Sequence, residues 1–239
     1  MSIAEKLQVI AANEQRVYDA GYIAGQFSGS YGDGYIAGQE AFWHLYQDHG
    51  NRTNYQRAFA NLGWTNTTFK PLYNITATNM GQAFQGTAIT NLIQLLADNN
   101  VILTTDGCTS FLQCFQSSTV THIPALNLSA STNCSYAFSS NSIIEIGELV
   151  VASTTPFSYA FHYSTSLEKV SFSGEIGYNG IDFTYNKKLT HDSLMSIINC
   201  LQDLRETGET KSIALGATNL AKLTDAEKAI ATEKGWSLS

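Results

Sequence analysis

The side chains that could carry chemistry are few and scattered: five histidines, four cysteines and a thin set of carboxylates. His44 and His49 stand five apart, so they do not share one helical face as an i, i+4 zinc pair does. His122 and His162 sit beside Ser, Thr and Tyr in polar stretches, where a solvated turn residue is the plain reading, and His191 opens an apolar-patterned segment. Asp106-Gly107-Cys108 could hold a reactive thiol, but no histidine lies near it in sequence to activate it. Glu145 and Glu148 could be a carboxylate pair, yet strand alternation turns Glu148 outward and leaves Glu145 in the preceding turn. No Gly-x-Ser-x-Gly elbow occurs. Cys108, Cys114, Cys134 and Cys200 have no Cys-x-x-Cys spacing, and Cys114 and Cys134 fill slots taken elsewhere by apolar residues, so they read as small buried hydrophobes. The expectation is a protein without catalytic residues, metal or cofactor.

What must position these residues is a recurring pair, a small residue followed by Phe: Ala83-Phe84, Cys114-Phe115, Ala137-Phe138, Ala160-Phe161 and the degraded Asp182-Phe183. The steps between the Phe residues are 31, 23, 23 and 22, and the slot four before Phe is apolar at Met80, Phe111, Cys134 and Phe157. A fixed period in the twenties predicts stacked units that bury their apolar faces on one another. After each turn comes L-x-x-L-x-L: Ile123, Leu126, Leu128, then Ile146, Leu149, Val151, then Leu167, Val170, Phe172. A weaker first copy is Ile89, Leu92, Leu95, with extra residues from Asp98 to Gly107. The alternating end of each pattern predicts a short strand with one buried face. Its outward positions, the candidate binding face, are Ala125 and Asn127, Glu148 and Val150, and Lys169 and Ser171.

On either side the pattern is helical. Ser2 to Glu5 is a capping box opening a helix to about Ala20, which could pack on the array or pair with copies of itself. Gly21–Gln26 recurs as Gly34–Gln39 around a glycine-rich stretch, a hinge by composition. Glu40 to His49 and Thr53 to Leu62 read as short amphipathic helices closed by Gly50 and Gly63, with Trp64 and Phe69 joining them. Thr190 to Arg205 reads as a helix, Lys211 to Leu215 as a strand, and Thr224 to Glu227 as a capping box for a last helix. The expected division is 1–38 helix and hinge, 39–79 helical cap, 80–188 repeat array and 189–239 C-terminal cap.

A formal charge of −7 with no basic cluster disfavours nucleic acid as a partner. The N-terminal residues lack the basic start and apolar core of a signal peptide, and no apolar run is long enough to span a bilayer, so the expected setting is cytoplasmic or virion-associated.

The L-x-x-L-x-L strands joined to an Ala-Phe turn every 22 to 23 residues resemble the BspA-like class of bacterial leucine-rich repeats, the type found in gut Firmicutes and their prophages. Leu189 to Ile198, the tail from Leu215 to Trp236, the Ile3–Leu7 helix and Phe42-Trp43 through Trp64 carry the same likeness. The resemblance implies an α/β leucine-rich-repeat right-handed solenoid, with short strands, irregular turns and helical caps at both ends. It also implies a non-enzymatic interaction module for a protein or glycan ligand at a bacterial or virion surface. The alternatives are a phage or prophage particle component, oligomeric through its N-terminal helix, and a hydrolase with its site near residues 98–107.

Overall fold

Six phenylalanines form one continuous column. Phe59, Phe84, Phe115, Phe138, Phe161 and Phe183 are buried and stacked in that order, at centroid separations of 4.7, 5.2, 5.9, 5.3 and 4.7 Å. The computed structural model describes residues 53–61, 65–67 and 74–239. Asn74 apart, these belong to a unit made of Thr53–Phe69 and Ile75–Ser239; the second unit, Met1–Arg52 with Lys70–Asn74, otherwise falls outside them. The expected N-terminal helix, the hinge, the Glu40–His49 helix, Trp64 and Phe69 all lie outside the described residues.

Around each Phe the chain makes a turn that docks on the next turn through its backbone. The N–H groups of Arg57, Phe59 and Asn61 donate to the carbonyls of Gly81, Ala83 and Gln85. Gln113, Phe115 and Ser117 donate in the same way to Ser135, Ala137 and Ser139, and Tyr136, Phe138 and Ser140 donate to Ser158, Ala160 and His162. Thr53 to Asn61, expected as a helix, is the first of these turns. Tyr55, Phe59 and Leu62 have helical spacing, but Arg57 and Asn61 adopt φ of 56° and 54°, which ends any helix.

The expected leucine-rich-repeat solenoid is not what forms. The described residues make a mixed α/β unit with three separate parallel sheets of two, four and three strands, connected differently, and no regular horseshoe; the BspA-like likeness is corrected with it. The first sheet pairs β1 (Ile75–Thr76) with β2 (Leu103–Thr104). Between them lies α1 (Leu92–Asp98), where a weak strand copy was expected. Asn91 caps it by accepting from the Gln94 N–H, and Leu92, Leu95 and Leu96 bury one helical face.

The second sheet is built on β5 (Glu145–Val151). Its first half pairs with β3 (His122–Ile123), its second half with β4 (Leu126–Asn127), and its other edge with β6 (Lys169–Gly174). Pro124 separates β3 from β4, because a proline has no N–H to continue the ladder.

Side-chain hydroxyls take up edge N–H groups on both sides of this sheet, while an isolated bridge joins His122 of β3 to Asn91. On one side Thr105 Oγ1 accepts the Asn127 N–H at 2.7 Å, where a further strand would have offered a carbonyl. On the other, α2 (His191–Asn199) lies against β6, and Ser193 and Ser196 accept the N–H groups of Val170 and Phe172 at 3.0 and 2.8 Å. The expected helix to Arg205 ends early, at Asn199, because Leu201 leaves to bridge Ile176.

The third sheet is β7 (Ile181–Asp182), β8 (Lys211–Ala214) and β9 (Trp236–Leu238) in that order, with Trp236 buried and its indole N–H on the Gln202 carbonyl. Between β8 and β9 come the short α3 (Ala217–Leu220) and α4 (Asp225–Glu233). The capping box of α4 is formed as expected, Thr224 accepting from the Glu227 N–H and Glu227 from the Thr224 N–H. No helix among the described residues is long and apolar enough to cross a membrane.

Candidate functional site

Where the first sheet stops and the second begins, the missing strand pairing leaves a cleft of about 280 Å³. Leu103 and Thr105 line one wall, Ala125, Asn127 and Val150 the other, and Asp106 stands at its rim. Asp106 is exposed, while Thr105 is buried with its hydroxyl on the Asn127 N–H. The Asn127 carboxamide is held at both ends. Its Nδ2 donates to Asp106 Oδ1 at 2.7 Å, and its Oδ1 accepts from the Ser129 N–H and hydroxyl at 3.0 and 2.6 Å. Asn127 therefore holds one oxygen of the Asp106 carboxylate at the rim of a cleft whose lining includes the apolar Leu103, Ala125 and Val150. The carboxylate keeps its second oxygen, and the outer lone pairs of the first, as acceptor capacity.

The six candidate residues from strand alternation divide into two groups. Ala125, Asn127 and Val150 meet at the cleft. Glu148, Lys169 and Ser171 lie on the same sheet away from it, and Lys169 pairs with Glu145 across the strands at 3.4 Å. The third copy is offset from the expected register: Glu148 faces Ser171 and Val150 faces Ser173. These pairs keep the 23-residue step from Phe138 to Phe161, and the offset is present on both sides of an irregularity between Glu145 and Glu148, where β5 carries one residue more than β6. Gly147 makes room for it; a Cβ there would stand 2.6 Å from the Ala125 nitrogen.

The remaining polar candidates are structural. His122 Nδ1 is held by the Thr121 hydroxyl at 2.9 Å and does not line the cleft with Asp106. His191 Nε2 meets Glu227 Oε1 at 2.9 Å and joins α2 to α4. Hydrogen bonds from the Thr224 backbone and hydroxyl, then His191, hold the Glu227 carboxyl below its ordinary value. Burial pushes the thiols of Cys108, Cys114, Cys134 and Cys200 up, away from thiolate reactivity, and all four are unpaired. Among the described residues no group of three His, Cys, Asp or Glu side chains could hold a metal ion. His44 and His49 lie outside the described residues.

Sequence reasoning missed Asp106 as the partner of Asn127, a contact 21 residues apart that no local spacing announces. It also missed a motif that was present. Six residues before Phe stands Thr, then Asn or Ser: Thr53-Asn54, Thr78-Asn79, Thr109-Ser110 and Thr132-Asn133. The hydroxyls of Thr78, Thr109 and Thr132 donate to the carbonyls of Thr53, Thr78 and Thr109, so this column fixes the turns one upon another. Extending the motif upstream finds the Phe59 turn.

No family model, curated protein or solved structure matches this chain. With three separate sheets in place of one extended strand face, the expectation of a leucine-rich-repeat interaction module at a bacterial or virion surface is withdrawn, as is that of a phage particle component. The hydrolase alternative near residues 98–107 has nothing in its favour: Asp106 has Asn127 for a partner, and Cys108 is buried.

Proposed function

We propose that this chain acts without catalysis of its own, by holding a glycan whose terminal sugar enters the cleft between the first and second sheets. The single observation that carries the reading is the Asp106 carboxylate, held by Asn127 at the rim of a cleft lined by the apolar Leu103, Ala125 and Val150. A sugar ring has hydroxyls at its rim and C–H groups on its faces, and this pairing of one fixed acceptor with a small apolar surface suits both. A protein partner suits it less, since stable protein interfaces bury about 800 Å² on each side and a concave site this small offers little of that. Nucleic acid is disfavoured by the charge of −7. A cytoplasmic setting belongs to the same proposal and is supported by four cysteines that remain free thiols.

Titrating the full chain with neutral hexoses, N-acetylhexosamines and their short oligomers, while following backbone amide shifts, tests the proposal. The expected result is saturable movement at Asp106, Asn127 and Val150, with no new reducing ends released on long incubation. Asp106→Asn should weaken the sugar about tenfold or more, as loss of a charge-assisted hydrogen bond does. Amide shifts unmoved across the whole panel would overturn the reading.

A further inference from the structure

The turns that carry the phenylalanine column also carry a ribbon of side chains on their outer side, and contacts there join Arg57, Gln82 and Gln113 in one run and Tyr136 and Tyr159 in another. Two positions before each Phe stand Arg57, Gln82, Gln113, Tyr136 and Tyr159, all in the left-handed region with φ between 52° and 58°. Arg57 Nε donates to Gln82 Oε1 at 2.7 Å, and Gln82 Nε2 donates to Gln113 Oε1 at 2.8 Å. Tyr136 then stacks on Tyr159 at 5.2 Å with ring planes 13° apart. A parallel column repeats the device, Gln85 Nε2 donating to Gln116 Oε1 at 3.0 Å.

The chemistry left for a ligand follows from these contacts. A carboxamide has two donors and two acceptor lone pairs, and in Gln82 the column engages one of each. Tyr136 and Tyr159 each cover one face of the other, each keeps a hydroxyl able to donate and accept, and Tyr159 is 54% exposed. From Gln82 to Tyr159 the column holds no charge. A polyanion finds no row of cations there, and a polycation finds no row of carboxylates. A ligand fitted to it is an uncharged polymer whose hydroxyl-bearing units repeat at the spacing of the stacked backbone, about 4.8 Å. An extended β-linked pyranose chain repeats on that scale.

We propose that the outer ribbon from Gln82 to Tyr159 binds an uncharged, extended β-linked polysaccharide lying along the stack, one sugar to each turn. This surface is separate from the Asp106 cleft and does not depend on it. The test is calorimetric titration of the full chain with β-linked glucan oligomers of increasing length. Affinity should climb with each added sugar until the ribbon is spanned and then level off, and should not change with salt. Tyr136→Phe with Tyr159→Phe keeps the stack and the fold but removes the hydroxyls, and should cost about tenfold in affinity for the longest oligomer. Gln82→Ala should cost a similar factor. Asp106→Asn should leave the length dependence intact, which separates failure of the cleft from failure of the ribbon. Affinity independent of chain length would overturn the proposal. So would loss on Asp106→Asn with the tyrosine pair silent, tighter binding to a charged polysaccharide, or no binding to any oligomer.

Discussion

Cys114 and Cys134 show how the setting of a side chain decides its chemistry. Both are fully buried; burial pushes the Cys134 thiol up to about 12 and that of Cys114 well above its ordinary value. In the unfolded chain a thiol ionises near about 8.5. Above that pH the unfolded state sheds protons that the folded state keeps, so stability is fully present below it and falls as pH rises toward about 12, the value for Cys134. Each such thiol contributes a slope of about 1.4 kcal/mol per pH unit in this window. Urea unfolding followed from neutral to alkaline pH should show the decline, and Cys134→Ala should flatten it by about that amount; an unchanged slope in the variant would assign the alkaline loss to other groups. The burial of these cysteines was legible in the sequence, because each fills a slot held by Ala, Met or Phe in other turns. The bond from Asn127 to Asp106 was not, since a carboxylate in a loop carries no sign of which distant amide will reach it.

At the scale of elements, the strands follow apolar alternation, but their ends do not. Ile146, Leu149 and Phe172 are buried as their spacing predicts, yet in the sheet they belong to Thr105, Ser193 and Ser196 accept edge N–H groups. A serine on a helix that caps a strand edge has the same local sequence as a serine facing water, so the division into three sheets leaves no periodic trace. Pro124 was the one visible sign of an interruption. The irregularity in β5 is equally hidden, although Gly147 marks it. Adding a methyl there brings it to 2.6 Å from the Ala125 nitrogen and 3.0 Å from the Pro124 carbonyl carbon, both backbone atoms that cannot swing aside. Gly147→Ala should therefore destabilise the protein by about 1–3 kcal/mol, the range for overpacking a filled site. Because Ala125 and Val150 line the cleft on either side of this contact, the variant should also lose the sugar-dependent amide shifts. Unchanged stability together with unchanged shifts would mean that β4 and β5 separate without cost.

For the molecule as a whole, the sheets are interrupted but the stacked turns are not. The phenylalanine column and the backbone bonds beside it run from Phe59 to Phe161 across the break between the first two sheets. The turns, more than the strands, therefore hold the cleft walls in position. Phe115 stands at the middle of this run, fully buried between Phe84 and Phe138. Removing its ring leaves a cavity and breaks two stacking contacts at once, so Phe115→Ala should cost about 3–5 kcal/mol. The location of the damage is the more informative result. If the turns form one cooperative unit, the amides of Phe84 and Phe138, whose N–H groups bond the neighbouring turns, should lose hydrogen-exchange protection together. The Leu204 amide, bonded to Lys234 in the C-terminal part of the chain, should lose less. Loss confined to one neighbour would show that the break between the first and second sheets divides the core as well as the strands.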